Sequence, residues 1–347
     1  MIAGYSDGSL MFCNAADDYK AESAVLDEPI NAAATLEFTL PYNNLGNRPA
    51  VKSSVVSIRR DGREIFRGSV GKTDEKNMGM QTTYTAESCL AWFRDVVIDP
   101  ISASYTASAF VLLLCEKYNL FAKDARRILC GNVDVAGAYN PQAEKPTTIW
   151  DYLSGMKEAL GGYISVRYAD GSVYVDYTVQ SGVVSEQHII KGLNLVSIKT
   201  TIESEEYCTR VYPIGSDGTL INSVNGNKPV LINAEAEKLM GCVVNRLIEV
   251  NSTDPETIKN AGQKILNECS ELQPQLQVSA IDRSGIDPTL PPFLTGQWAI
   301  VEVPHADLET AVVQIVEVKT DLLKPNNPQI TLGSTPRKIT TMLGGRK

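Results

Sequence analysis

The sequence predicts a β-rich α+β protein with more than one domain. Short alternating segments joined at Asp-Gly turns fill residues 36–95 and return at 163–177. Asp-Gly favours tight hairpins, because both turn residues must adopt positive φ. Two segments, 105–120 and 148–160, instead have the apolar spacing of helices. A chain of 347 residues is long enough for two or three separate cores.

The first block, residues 1–95, is predicted to form a small barrel or sandwich of strands. A strand over 36–40 ends at Pro41, and strands over 54–59 and 64–70 meet at Asp61-Gly62. A further strand and the start of a helix follow over 83–93.

The middle of the chain is predicted to be an α+β unit. In the helix over 105–120 the core-facing residues are expected to be Ala107, Phe110, Val111, Leu114 and Tyr118. In the helix over 148–160, Thr148 is a natural N-cap with Asp151 three residues on, and Trp150, Leu153 and Leu160 are expected to face the core. Gly161-Gly162 ends this helix, and a hairpin of 163–168 with 172–177 turns at Asp170-Gly171.

Strands return in the last third of the chain. They are predicted over 195–202, 209–215, 276–280, 297–303, 311–318 and 327–334. Residues 216–275 look inserted, with turns at Asp217-Gly218 and Asn225-Gly226. A helix opens there at Asp254-Pro255 and runs to about Cys269.

This succession of elements, from Leu36 to Ser334, resembles the tail-hub and tail-tip proteins of bacteriophages. That family includes baseplate-hub-like proteins and the N-terminal hub part of tail-associated lysins and prophage tail endopeptidases. Two further elements are similar to the family, namely the strand that ends in Pro213 and Gly215 and the segment 327–334. The resemblance implies two related, tube-like β-barrel domains with α/β insertions.

The resemblance also predicts domain boundaries. The first β-barrel hub domain would span 1–95, an α+β domain 96–190, and the second barrel 191–215 with 276–335. An inserted helical subdomain would span 216–275, and a C-terminal tail 336–347. A short repeated motif is consistent with two similar halves, since Lys72-Thr73-Asp74 and Lys319-Thr320-Asp321 each follow a pair of predicted strands.

For function, the resemblance implies a structural protein and not an enzyme. Three subunits would form a ring that closes the distal end of the tail tube and opens for DNA ejection. The implied partners are the homotrimer, the distal tail protein ring, the tape-measure protein, and tail fibres or receptor-binding proteins, while DNA passes without specific binding. The implied location is the distal end of the tail in the virion, after synthesis in the host bacterial cytoplasm.

Three alternatives stay open. The same fold serves as the hub of a contractile tail or of a phage-tail-like bacteriocin. A cell-wall hydrolase is the enzyme alternative, and the lack of a convergent His, Cys or carboxylate constellation opposes it. Many relatives continue beyond the hub into a peptidase or a fibre-like extension, whereas this chain ends soon after Gly333-Ser334. A host-binding adhesin would be expected to expose aromatic residues in loops, and only 7% of this chain is aromatic.

Charge and cysteine content fit this interpretation. The chain has 32 basic and 41 acidic residues, a net charge of −9, which disfavours wrapping of nucleic acid and would suit an acidic lumen. No signal peptide or membrane-spanning segment is recognisable. The seven cysteines are expected to be reduced: Cys13, Cys89, Cys115, Cys130, Cys208, Cys242 and Cys269.

Two motifs resemble enzyme signatures but fail on context. Gly4-Tyr5-Ser6-Asp7-Gly8 matches a nucleophile elbow, yet no strand fits before residue 4, so a plain turn is expected. Gly68-Ser69-Val70-Gly71-Lys72-Thr73 resembles a phosphate loop, but its first glycine would fall at Phe66, and a strand is expected instead.

No catalytic, cofactor-binding or metal residue is assigned, and no cofactor is expected. The two histidines, His188 and His305, have no metal-ligand spacing. A thiol peptidase would need a cysteine paired with one of them, and Cys115 lies within an apolar helix, where it is expected to be buried. Solvated faces are the expected role of the acidic clusters Asp17-Asp18, Asp74-Glu75 and 203–206. The apolar run 290–294 is predicted either to dock a partner or to pack on its own domain.

Overall fold

The structure, a computed structural model, describes most of the chain and divides it into two units. The described residues are 1–5, 8–13, 15–46, 48–60, 62–76, 78, 80–141, 143–179, 183–202, 207–250, 252–270, 274–287, 289–302 and 311–333. Unit 1 comprises Met1–Ile198 and Gln277–Lys347, and unit 2 comprises Lys199–Leu276. The five-part division expected from the sequence stays a prediction.

Strands outnumber helices. The strands are β1 (Ile2–Tyr5), β2 (Leu10–Cys13), β3 (Ser23–Pro29), β4 (Thr35–Pro41), β5 (Val55–Arg60), β6 (Arg63–Lys76), β7 (Gln81–Ser88), β8 (Val97–Ile98), β9 (Tyr105–Thr106), β10 (Ile128–Val133), β11 (Ala138–Tyr139), β12 (Thr147–Thr148), β13 (Tyr163–Ala169), β14 (Ser172–Thr178), β15 (Ile189–Ile190), β16 (Leu195–Ile202), β17 (Arg210–Gly215), β18 (Leu231–Ile232), β19 (Asn245–Val250), β20 (Pro274–Ala280), β21 (Trp298–Glu302), β22 (Ala311–Asp321) and β23 (Gln329–Leu332). The helices are α1 (Ala107–Asn119), α2 (Ile149–Leu160), α3 (Ala234–Met240) and α4 (Pro255–Cys269).

One large sheet contains two sets of five strands with the same order. The path runs β16-β20-β23-β22-β3-β4-β7-β6-β5-β1-β2, and β21 pairs with both β22 and β15. Across the sheet, the first set lies in the order β3-β4-β7-β6-β5. If the strands of each set are numbered one to five along the chain, this order is 1-2-5-4-3. The set β16, β20, β21, β22 and β23 follows the same order.

Strand β22 joins the two sets. Its first residues pair with β21, its central residues pair with β23, and Glu317–Asp321 pair antiparallel with β3. Strands from the two ends of the chain therefore share one hydrogen-bonded sheet. The predicted β-rich α+β class is confirmed, but the described strands do not close into barrels, because the path ends at β2 and at β16.

The predicted strands are present, with two notable extensions. β6 runs on to Lys76 and β22 to Asp321, so both Lys-Thr-Asp triplets lie inside strands. Their cross-strand partners on β7 and β3 hold them extended. Asp61 of the first hairpin turn lies outside the described residues, as do 303–310 and 334–347.

The core beneath the N-terminal strands is aromatic. Phe38 on β4 is fully buried, 5.6 Å from the ring of Phe12 and 5.1 Å from the stacked ring of Tyr84. Tyr84 lies directly opposite Phe38 on β7. Alternation along β4 places Leu36 and Leu40 on the same buried face.

A second core of unit 1 lies between α1, α2 and the three-stranded sheet β10-β14-β13. All five residues predicted for the buried face of α1 are buried, and Leu153 of α2 is buried too. Trp150 and Leu160 lie only partly buried at the rim, and Ile149, Tyr152 and Met156 fill the centre instead. The Tyr152 hydroxyl oxygen accepts a hydrogen bond from the Ile101 amide at 2.9 Å, which fixes this face of α2 toward the core.

The local signals of this region are confirmed. The Thr148 hydroxyl accepts from the Asp151 amide at 3.0 Å, which caps α2. Gly161 ends the helix with φ 74°, and Asp170 (φ 50°) with Gly171 (φ 74°) make the hairpin turn between β13 and β14.

Unit 2 has its own small α/β core. β17 lies between β18 and β19 and is parallel to β19. α4 packs on one face of this sheet through Ile258 and Leu266, beside Val211 and Leu231. Asp254 caps α4 as predicted, by accepting from the Thr257 amide at 3.0 Å. Residues 216–275, predicted as a helical subdomain, thus contain the strands β18 and β19 as well as helices. β19 forms there because it pairs in parallel with β17, which precedes this segment.

Within the described part of the chain, no helix is both long enough and apolar enough to cross a bilayer.

Replacing Phe38 with alanine is expected to lower the free energy of unfolding by about 3–5 kcal/mol, because it removes a buried ring and leaves a cavity. Tyr42→Ala is the matched control, since Tyr42 follows β4 directly and is 63% exposed. Its effect is expected to stay within about 0.5 kcal/mol. Urea unfolding followed by tryptophan fluorescence measures both, and equal losses would contradict the packing described.

Candidate functional site

A cavity of about 950 Å³ lies within unit 1, where distant parts of the chain meet. Its wall is formed by the end of β3 with the turn after it, by the start of β6, by the hairpin β13–β14, and by the loop between β20 and β21. We call this space the unit 1 cavity.

Specific hydrogen bonds hold the loop of residues 281–297 against the strands. The Thr295 hydroxyl donates to the Glu28 carbonyl oxygen at 2.5 Å. The buried Gln187 amide donates to the Pro291 carbonyl at 2.6 Å and to the Asp282 carboxylate at 2.9 Å. The cavity wall is therefore tied to the sheet and is not a free loop.

The apolar run 290–294 forms part of this wall. Phe293 is 4% exposed and packs within unit 1, whereas Leu294 is 52% exposed. Packing on its own domain is thus observed for the Phe293 side chain. Docking of a partner at this run stays a prediction.

Two adjacent carboxyl groups on β3, Asp27 and Glu28, have raised pKa values, and Glu28 lines the cavity. Burial raises the pKa of Glu28 to about 7, and the neighbouring Asp27 carboxylate adds to the shift. Burial also raises the pKa of Asp27 to about 6, helped by the Glu317 carboxyl across the strand pair. Lys319 opposes this effect, with its Nζ 3.9 Å from Asp27 Oδ2. Near neutral pH, these two carboxyl groups of β3 can therefore take up or release protons.

A nearly buried ion pair stabilises the start of β6. Arg67 donates from Nε and Nη2 to the two carboxylate oxygens of Glu64, at 2.7 and 2.6 Å. The two side chains are only 11% and 9% exposed. The bidentate pairing raises the pKa of Arg67, so its charge persists in the interior.

The buried thiols do not have the properties of nucleophiles. Burial raises the pKa of Cys89 to about 12 and that of Cys115 to about 12, so both stay protonated at neutral pH. His188 Nδ1 lies 3.0 Å from Glu302 Oε1, and His305 lies outside the described residues. In the part of the chain that the structure describes, no group of three or more His, Cys, Asp or Glu side chains could hold a metal ion.

The two motifs that resembled enzyme signatures have ordinary surroundings where they are described. The expectation that no strand fits before residue 4 was wrong, because β1 starts at Ile2 and is held by pairing with β2 and β5. The Gly8 amide donates to the Tyr5 carbonyl at 3.0 Å in a turn, while Ser6 and Asp7 lie outside the described residues. Residues 68–73 lie entirely within β6, paired with β7.

The acidic clusters differ from one another. Asp17 is exposed and pairs with Lys20, and Asp74 pairs with Lys72 at 2.7 Å. The cluster 203–206 lies outside the described residues. The carboxyl groups with raised pKa values, Asp27 and Glu28, were missed in the sequence. Their surroundings are set by residues almost three hundred positions away, and the only local signal is two acids within a buried strand.

Because the folded-state pKa values of Asp27 and Glu28 lie above their ordinary values, the folded protein binds more protons than the unfolded chain between about pH 4 and pH 7. Stability from these groups should therefore fall as pH rises through that window. Glu28→Gln is expected to raise the free energy of unfolding at pH 7.5 by on the order of 1–3 kcal/mol, and to change it little at pH 4.5. Glu116→Gln, on the exposed face of α1, is the control. Urea titrations at several pH values measure this, and an unchanged pH slope in the Glu28 variant would refute the assignment.

Glu64→Ala is expected to destabilise the fold by about 3–5 kcal/mol, since it leaves the Arg67 charge buried without its partner. The control is Glu87→Ala, which breaks the exposed pair of Arg94 with Glu87 and is expected to cost less than about 1 kcal/mol. Thermal or urea unfolding compares the two. Similar small losses in both variants would mean that solvent reaches Arg67.

Known proteins support the fold at low sequence identity. Residues 183–343 match the family described as prophage endopeptidase tail. The tail protein of Neisseria meningitidis MC58 superposes with a TM-score of 0.65 at 12% identity, covering 92% of each chain. The 43 kDa tail protein of prophage MuSo2 from Shewanella oneidensis gives 0.65 at 13% identity, covering 91% of this chain and 96% of that one.

A third similar structure comes from a secretion system. It is an E. coli component of the type VI secretion system, described as structurally similar to the T4 bacteriophage tail proteins gp27 and gp5. The TM-score is 0.51 at 11% identity, covering 92% of this chain and 74% of that one. No curated protein matches the chain in sequence. The predicted resemblance is therefore confirmed: this chain has the fold of phage and prophage tail proteins, and its residues 183–343 match the prophage endopeptidase tail family.

Proposed function

We propose that this chain is a structural hub subunit at the distal tip of a phage tail. Three copies would form a ring that closes the tail tube until the host is engaged and then opens for DNA ejection. The observation that carries the proposal is the whole-length similarity in fold to tail proteins, with 92% of this chain matched to 92% of the Neisseria meningitidis protein.

The repeated strand order supports the ring geometry. Two five-stranded sets with the same order give each subunit two similar groups of strands within one sheet, so three subunits would present six similar elements. The Lys-Thr-Asp triplets add to this, because each lies in the fourth strand of its set. A threefold ring with six similar elements could continue a sixfold tube. Two related tube-like domains are thus part of the proposal.

Partners and location follow from the same role. The ring would contact the distal tail protein, the tape-measure protein, and tail fibres or receptor-binding proteins in the virion. A net charge of −9 supports a lumen that DNA crosses without adhering. A cryo-EM map with a lumen lined mainly by Lys and Arg would oppose that part of the proposal.

A hub of a contractile system is the second candidate. It is favoured by the similarity to the type VI secretion component. A cell-wall hydrolase draws support only from the word endopeptidase in the family description. The protonated state of Cys89 and Cys115 argues against either of them as a peptidase nucleophile.

The native mass of the purified chain tests the proposal, with and without the neighbouring distal tail protein. One chain is 37.8 kDa, so three give 3 × 37.8 = 113.4 kDa. We expect that mass alone or on the partner ring, by light scattering or native mass spectrometry. A monomer that ignores the partner would contradict the hub, and a zymogram that clears host cell walls would instead favour the hydrolase.

A further inference from the structure

Two cysteines of unit 2 are brought together from distant parts of the sequence. Cys208 lies just before β17, and Cys269 is the last residue of α4. The Cys208 amide donates to the Cys269 carbonyl at 3.0 Å. This bond holds the two backbones in direct contact, and a disulfide needs Cα atoms only about 4.4–6.8 Å apart.

The side chains also meet. Cys208 is buried in the core cluster beneath α4, and Cys269 packs against that cluster. Burial raises the pKa of Cys208 to about 11, and the adjacent Cys269 thiol adds to the shift. Arg246 on β19 donates from Nη1 to Cys269 Sγ at 3.1 Å. A guanidinium against a sulfur stabilises the negative charge that develops there during thiol–disulfide exchange.

We propose that Cys208 and Cys269 are a modification site, an oxidisable dithiol that forms an internal disulfide once the protein leaves a reducing compartment. Cys208 is fully buried and Cys269 is half-buried, so an oxidant reaches Cys269 first. The oxidant is a small-molecule disulfide such as oxidised glutathione. The inference that the protein leaves the cytoplasm rests on the proposed function. The thiol chemistry of the pair is independent of that function.

The exchange has two steps. The Cys269 thiolate attacks the small disulfide, forming a mixed disulfide and releasing one thiolate, which takes up a proton. Cys208 then loses its proton and attacks Cys269 Sγ, forming the internal bond and releasing the second small thiol. Two protein thiols are oxidised, and one small disulfide is reduced to two thiols.

The consequence for unit 2 follows from the positions of the two residues. The bond would close a loop from residue 208 to residue 269, which contains β17, β18, α3, β19 and α4. Closing so long a loop restricts the unfolded chain and so stabilises the folded state. Unit 2 would then be harder to unfold outside the cell than inside it.

The test uses the full-length chain incubated with oxidised glutathione, then alkylated and mapped by mass spectrometry without reduction. We expect one linked peptide pair containing Cys208 and Cys269, and an apparent melting temperature of unit 2 raised by about 5 °C or more. Cys208→Ala should instead accumulate one glutathione on Cys269. Cys242→Ser is the matched control, because Cys242 is the exposed thiol of unit 2 and its loss should leave the linked pair intact.

Modification of Cys242 in the wild-type chain shows that the oxidant is active. If Cys208 and Cys269 are both alkylated in that same sample, the proposal is overturned. The wild-type map requires no variant to fold. Its outcome is also independent of oligomeric state, so its failure is distinguishable from failure of the trimeric hub.

Discussion

The pairing of β22 with β3 is the constraint on which unit 1 depends. Glu317–Asp321 lie opposite Val25–Pro29, so residues close to the two ends of the chain share one ladder. Such a pairing forms only after a long loop is closed, and the entropy of closure must be offset by what the contact buries. Leu26 and Val318 are buried there, and the Leu322 amide donates to the Ala24 carbonyl at 2.7 Å. Without this ladder, the two five-stranded sets would be separate sheets.

The same ladder explains the raised pKa of Asp27 on β3. Asp27 and Glu317 are brought onto neighbouring strands, where like charges raise the energy of the doubly ionised state. Lys319 reduces that repulsion only in part, with its Nζ 3.9 Å from the Asp27 carboxylate. Thr331 donates to Glu317 at 2.7 Å from β23. These contacts therefore surround the Asp27 and Glu317 carboxyl groups with both a cation and a hydroxyl donor.

The sequence predicted local structure well and long-range structure poorly, for a physical reason. Asp170-Gly171, the Thr148 cap and Asp254-Pro255 act within a few residues, so their effect can be recognised in the chain itself. The identity of the buried face of α2 was predicted only in part, because it depends on the sheet against which the helix packs. Three elements of unit 2 were not predicted. β18 and α3 are short, and β19 pairs in parallel with β17, from which β18 and α3 separate it in the sequence. The carboxyl pair and the dithiol needed tertiary proximity, which spacing cannot reveal.

The two five-stranded sets keep one strand order although their connections differ greatly. Between the first and second strands of the N-terminal set, β3 and β4, the connection is a short turn after Pro29. Between the corresponding strands β16 and β20 it contains nearly all of unit 2. The entropic cost of a loop grows only with the logarithm of its length, so a folded insertion at a strand connection perturbs the pairing of its flanks little. The order of strands is therefore the feature under the stronger physical constraint, and insertions are where relatives with this fold can differ.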